Sequence, residues 1–347
     1  MNFAPASEKK SSGRPAIEFD RLVKTFGSTT AVDKVSFKVF PGEVYGFIGP
    51  NGAGKTTSMK ILSTLDTPDS GSAKVDGFCS VNDPEHVRRR LGYMPDGFGA
   101  YSNVTCEEYL DFFARSYGLR GKDRIHSLRN VMGFTQLDQI AQKPITGLSK
   151  GMKQRLCLGR ALIHNPKVLV LDEPAAGLDP RARIELRDMI TALADDGKSL
   201  LISSHILTEL AEMCDRVAII EQGALLAVGS VDEILARGQH QASGVSGSTG
   251  KAETGQLLIQ MLGDTNAAKE WIEKELSVSV RLSGDILQFP FSGSREDQAS
   301  LLKELVEKGF ALTSFANKQR SLEDAFLHVT RGRVQCCLLY TSDAADE

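Results

Sequence analysis

At 347 residues, with 41% hydrophobic and 24% charged residues, the chain can bury a core and is long enough for one large domain plus a smaller one. A formal net charge of -3 argues against a nucleic-acid binder working by bulk phosphate attraction. No run approaches the roughly 18 consecutive apolar residues of a membrane-spanning helix, and six cysteines without CxxC spacing read as reduced thiols rather than a disulfide framework or a metal site.

Residues 1–15, MNFAPASEKKSSGRP, lack the apolar stretch of a secretory signal and read as a polar, disordered lead-in, so a cytoplasmic location is expected. From Ala16 to Gly238, short β-rich runs alternate with helical patterns, the mark of an α/β domain on a largely parallel sheet. Strands are predicted at AIEFDRLVKTF, VSFKVF, EVYGFIG, KVLVLDEP, SLLISSH and RVAIIEQG. Helices are predicted after Gly54, at the capping-box pair Thr105 and Glu108, after Ser149, at Pro180 and after His205. The stretch from about residue 91 to 148 is expected to be a helical subdomain inserted into the core.

Residues 239–255, rich in Gly and Ser, read as a flexible linker. A second unit over residues 256–333 has the predicted order strand, helix, strand, strand, helix, strand, then a last helix at SLEDAFLHVTRG. That order implies a small α+β domain of ferredoxin-like, split-βαβ type. Residues 337–347, CLLYTSDAADE, match the in-frame translation of a transposase sequencing adapter and are set aside as an artefact, which puts the natural C-terminus beyond Val334.

GPNGAGKTT at 49–57 satisfies the phosphate-loop pattern in its proper context, after a strand and before a helix. Gly49, Gly52 and Gly54 let backbone N–H groups wrap phosphate oxygens without a Cβ in the way, Lys55 reaches the terminal phosphates, and Thr56 can ligate magnesium. Asn51 and Thr57 belong to the same nucleotide-contacting loop. KVLVLDEP at 167–174 ends a hydrophobic strand in two carboxylates at the sheet edge where ligands of open α/β sheets bind. Alternating side-chain directions let Asp172 hold the magnesium shell while Glu173 polarises the attacking water.

With these two motifs in place, residues 16–238 resemble the ATP-binding-cassette (ABC) ATPases. LSKGMKQR at 148–155 is similar to that family's signature, usually LSGGQ; Ser149 and Gly151 match, while Lys150 and Met152 depart. The resemblance implies that Ser149 and Gly151 bind the γ-phosphate held by an opposing chain, that Asp179 in AGLDP is a dimer contact, that His205 in SSH is the switch histidine, and that Phe26 stacks on adenine. In LGYMPDGFGAYSNVT the family's usual Gln is replaced by Asp96, which can still touch magnesium but brings a negative charge.

The resemblance further implies ATP and magnesium as cofactors, a second copy or a sister ATPase subunit as partner, and an integral membrane permease on whose cytoplasmic side the chain sits peripherally. One set of motifs, a helical insert and a trailing domain resemble the detached motors of exporters, with the permease docking near residues 96–110. Two other outlets remain at this point, a soluble cassette ATPase acting on ribosomes or DNA and an importer motor. Nothing in the sequence names the cargo.

Overall fold

The computed structural model describes residues 13–97, 99, 103–206, 210, 213–231, 233–234 and 254–318. Most of the lead-in, residues 239–253, the closing SLEDAFLHVTRG segment, the adapter-like tail and most of the helix expected after His205 lie outside the described residues. The chain divides into two compact units, residues 1–234 and 235–347.

The first unit opens with β1 (Ile17–Phe26) and β2 (Thr29–Val39), followed by β3 (Val44–Ile48), helix α1 (Lys55–Leu62), β4 (Ser70–Val75) and β5 (Phe78–Cys79). Strands β1, β2, β4 and β5 make an antiparallel sheet in the order β2-β1-β4-β5, separate from the parallel one. In β2 buried and exposed residues alternate toward its end, as in a strand with one wet face, whereas all of β3 is buried. Aromatic rings join the two: Phe37 of β2 lies 5.2 Å from Tyr45 and 5.3 Å from Phe47 of β3, centroid to centroid. Each such ring, fully buried, contributes about 1.5–3 kcal/mol.

Next come α2 (Pro84–Arg90), β6 (Leu91–Met94), α3 (Cys106–Ser116), α4 (Gly121–Phe134), α5 (Lys150–Leu162), β7 (Val168–Leu171), α6 (Pro180–Asp195), β8 (Ser199–Ser204), β9 (Arg216–Glu221) and β10 (Ala224–Ser230). The second sheet runs β10-β9-β3-β8-β7-β6, parallel throughout except for β10, which pairs antiparallel with β9. One expectation needs correction: residues 91–94, placed at the start of the helical insert, are a strand of this sheet paired with β7. Backbone packing is the reason, since a Cβ on Gly92 would collide with the Ala161 carbonyl oxygen of α5. A bare glycine there lets α5 lie directly on the strand. The helices α3, α4 and α5 follow, and the Thr105 capping box forms as the spacing predicts, Glu108 N–H donating to Thr105 Oγ1 at 3.2 Å and Thr105 N–H to Glu108 Oε2 at 2.8 Å.

Register decides what meets at the sheet's edge. Ile48 of β3 pairs with Ser204 of β8, Leu171 of β7 with Ile202, and Met94 of β6 with Leu171. The residues that follow these strands therefore emerge side by side: the glycine loop after Ile48, Asp172 and Glu173 after Leu171, Asp96 after Met94 and His205 after Ser204.

The second unit contains β11 (Thr254–Leu262), helix α7 (Thr265–Leu276), β12 (Arg281–Ser283), β13 (Ile286–Ser292), helix α8 (Arg295–Glu307) and β14 (Ala311–Lys318). Its antiparallel sheet has the order β12-β13-β11-β14, which is the ferredoxin-like arrangement of a β-α-β-β-α-β chain. Leu257, Ile259, Leu287 and Phe289 of the sheet pack with Ala268 and Ile272 of α7 and with Leu301 and Leu305 of α8.

Candidate active site

Two close backbone approaches shape the loop before α1. A Cβ on Gly49 would collide with the carbonyl oxygen of Ile220 in β9, and one on Gly54, whose φ is 102°, with that of Ala31 in β2. Gly52, at φ 80°, faces open space, so the loop presents bare backbone there. The β1–β2 hairpin carries Phe26, 52% exposed and paired with Thr29, two residues before the Ala31 that touches Gly54. The Lys24 ammonium sits 5.2 Å from the Phe26 ring centroid. Asn51 and Thr56 are exposed and Thr57 is half-buried.

Lys55 is only 5% exposed. Its Nζ donates to the Gly49 carbonyl at 2.6 Å and the Pro50 carbonyl at 3.2 Å, and lies 3.2 Å from Glu173 Oε1. That last contact is an ion pair outside hydrogen-bonding geometry, because Glu173 Oε1 is buried without a hydrogen-bond donor. The other oxygen, Oε2, is 2.8 Å from His205 Nδ1. A carboxylate offers only lone pairs, so Nδ1 carries the proton. Glu173 itself has φ 48°, a left-handed conformation that costs a non-glycine residue about 1–3 kcal/mol and persists only where its surroundings impose it.

Asp172 is 1% exposed. Its Oδ1 accepts from the Ser203 hydroxyl at 2.7 Å, the Tyr93 hydroxyl stands 3.5 Å from Oδ2, and the Thr56 side chain bonds the same carboxylate. Burial pushes the Asp172 carboxyl above the usual carboxylate range; the Ser203 and Thr56 hydrogen bonds pull it back, and the charges of Asp96 and Glu173 push it further up. Asp96 is exposed, yet close enough for its charge to be felt by both Asp172 and Tyr93. Ser203, fully buried, also accepts the Glu173 backbone N–H at 2.8 Å. Ser203 and Tyr93 carry no role in the sequence reading; the doubled hydroxyl of SSH at a strand end was the available signal for Ser203.

The expected nucleotide and metal residues Lys55, Thr56, Asp172, Glu173, His205 and, by its charge, Asp96 thus come together at one sheet edge. Ser149, Gly151 and Asp179 gather elsewhere, around a cavity of 690 Å³ also lined by Met152, Arg155 and Arg181. Both side-chain oxygens are used as helix caps: Ser149 Oγ accepts Met152 N–H at 3.3 Å at the start of α5, and Asp179 Oδ1 accepts Ala182 N–H at 2.9 Å at the start of α6. Lys150, one of the two departures from the usual signature, lays its ammonium where a Cβ of Gly177 would stand, against the loop joining Glu173 to Asp179.

The ABC transporter family profile matches residues 32–176. A Nod factor export ATP-binding protein I of Burkholderia thailandensis is 33% identical over 319 residues, which is 92% of this chain and 98% of that protein. The ABC transporter ATP-binding protein YxlF of Bacillus subtilis is 34% identical over 314 residues, 90% of this chain and 99% of its own length. The chain belongs to the ABC transporter ATP-binding protein family. A solved ATP-binding subunit of an ABC transporter superposes with a TM-score of 0.59 at 31% identity, covering 67% of this chain and 95% of that structure. This ABC subunit is accordingly an ATPase on a phosphate-loop α/β fold, and among its described residues no helix is long and apolar enough to cross a membrane.

Proposed function

We propose that this ABC subunit powers export through a separate membrane permease, binding magnesium-ATP at the edge of the parallel sheet and hydrolysing it between two cassettes. The observation that carries the reading is the unbroken contact chain at that edge, from the glycine loop through Lys55 to Glu173 and His205. Support for export comes from the relatives of nearly full length, one of which is named for export. The permease, the second cassette and the place at the inner face of the membrane belong to this proposal, as do the domain limits 16–238 and 256–333.

The residues fit both groups. Bare backbone at Gly49, Gly52 and Gly54 and the N-terminus of α1 suit phosphate oxygens. Asp172 holds a buried carboxylate at a desolvation cost that a divalent cation offsets, and Thr56 stands on it. Among the described residues no three His, Cys, Asp or Glu side chains form a closed metal cage. Thr56 and Asp172 would instead hold a magnesium ion that keeps waters and phosphate oxygens in its shell, where it neutralises charge on the transferring group.

Lys55 and Glu173 neutralise each other in the structure. When Lys55 turns to the phosphates, Glu173 Oε1 loses its cation and can accept a proton from water, while His205 keeps Oε2 fixed in direction. Asp96 adds a second acid beside the magnesium position. Ser149 and Gly151, at the start of a helix with no acidic residue in its first turn, present an end suited to an anion carried by another chain. Asp179 lies in the same face and Phe26 offers an exposed ring for adenine.

Copurification decides between export and the soluble reading. Tagged full-length chain, extracted from membranes in mild detergent, is expected to bring down an integral membrane protein and to release phosphate from ATP only with magnesium. Recovery entirely in the soluble fraction, bound to ribosomes or DNA, would sink the export reading.

A further inference from the structure

Through its hydroxyl, Ser203 hydrogen-bonds both Asp172 and Glu173. It sits on β8 opposite Phe47 of β3 and one step past the pairing of Leu171 with Ile202, so the parallel register places it beside Asp172. A hydroxyl has a single proton. Here that proton goes to Asp172 Oδ1 at 2.7 Å, and an oxygen lone pair takes the Glu173 backbone N–H at 2.8 Å.

Two consequences follow from that geometry. Ser203 anchors the Asp172 carboxylate through Oδ1, while the Tyr93 hydroxyl stands 3.5 Å from Oδ2 and Thr56 bonds the same carboxylate. With its N–H engaged, the Glu173 peptide is held in the left-handed conformation, φ 48°, from which its carboxylate reaches both Lys55 and His205. A bare interior filler would need neither bond.

We propose that Ser203 is a positioning residue for both acids, fixing through Oδ1 the orientation in which the Asp172 carboxylate is offered to magnesium, and pinning the Glu173 backbone so that its side chain meets Lys55 and His205. The inference rests on the metal and base roles proposed above for Asp172 and Glu173. It concerns a hydroxyl, so it separates from packing by an isosteric pair. Ser203 is fully buried, so the thermal midpoint of each variant reports whether the extra methyl of threonine or valine is accommodated.

The test uses the full chain as wild type, Ser203→Thr, Ser203→Val and Ser203→Ala. Affinity for Mn2+ in the presence of ADP is read by electron paramagnetic resonance, alongside kcat and KM for ATP and the thermal midpoint. Ser203→Ala and Ser203→Val are expected to weaken Mn2+ binding and lower kcat by about 10- to 100-fold, the usual penalty for losing a group that orients a metal ligand. KM for ATP should hold, and Ser203→Thr should restore both quantities. Should valine disturb folding, the alanine and threonine variants carry the comparison.

Equal Mn2+ affinity and kcat in the threonine and hydroxyl-free variants, beside an active wild type, would overturn the role of Ser203 alone. A wild-type chain that neither holds Mn2+ with nucleotide nor releases phosphate would overturn the reading of the site, and this inference with it.

Discussion

Around Lys55 nearly every polar group finds its partner within the same chain: carbonyls and Glu173 for the ammonium, His205 and Lys55 for Glu173, Ser203 and Thr56 for Asp172. Around Ser149 and Asp179 the side-chain oxygens cap their own helices, and what remains is a cavity of 690 Å³ with mixed polar and apolar walls. The first region is wired in advance, which suits chemistry, because groups already oriented need no reorganisation when charge develops. The second is a surface awaiting something to fill it. In the proposed two-cassette cycle, closure would be governed at the loose face without disturbing the acids.

The contrast is open to attack at both ends, and the largest effect is expected at Glu173. Glu173→Gln keeps the shape and the bond to His205 but removes the base, so kcat should fall by about 10²- to 10⁴-fold while ATP stays bound. Light scattering should then show an ATP-dependent pair; a strictly monomeric mutant at saturating ATP would break the shared-site half of the comparison.

Lys55→Ala should weaken binding of a fluorescent ATP analogue to the dilute, single chain by about 10- to 100-fold, the loss expected for hydrogen bonds to a charged group. Ser149→Ala is its counterpart. Turnover should drop by a smaller factor, and analogue binding to the dilute chain should not change; weakened binding there would mean that Ser149 acts within its own chain and erase the distinction.

Asp96→Ala sharpens the picture at the boundary of the wired region, with turnover reduced more than ATP affinity. A pure loss of affinity at constant maximal rate would remove Asp96 from the chemistry. The smallest effect belongs to Asp179→Ala, which removes the cap of α6 and should cost about 1 kcal/mol in chemical denaturation, with nucleotide binding by the single chain intact.

The phosphate loop, the acid pair and SSH are legible as strings because each sits at a strand end, and strand ends can be read from hydrophobic runs such as VYGFI, VLVL and SLLISS. Other features were not legible. Strand β6 is four residues long with a glycine in it, so it carries too little pattern to stand out from the helices that follow. The separation of β1 and β2 into their own antiparallel sheet depends on partners far along the chain, Ser70–Val75 among them. Phe26 and Asp96 were readable only by resemblance; geometry then set the hairpin that carries Phe26 against Gly54 through Ala31, and the acid within electrical reach of Asp172.

Local chemistry by itself determined the composition of the site: glycines for bare backbone, a lysine, two adjacent acids, a histidine. These are properties of residues and of their immediate neighbours. Only the tertiary structure decided which groups touch. The pairings of β3 with β8 and of β8 with β7 are between segments more than a hundred and about thirty residues apart in sequence, and a slip of one residue would turn Ser203 to the other face of the sheet. No local signal encodes such a register. It is set by burying β3, β7 and β8 from end to end, and the contacts of Ser203 with the two acids exist because that core packs in one way.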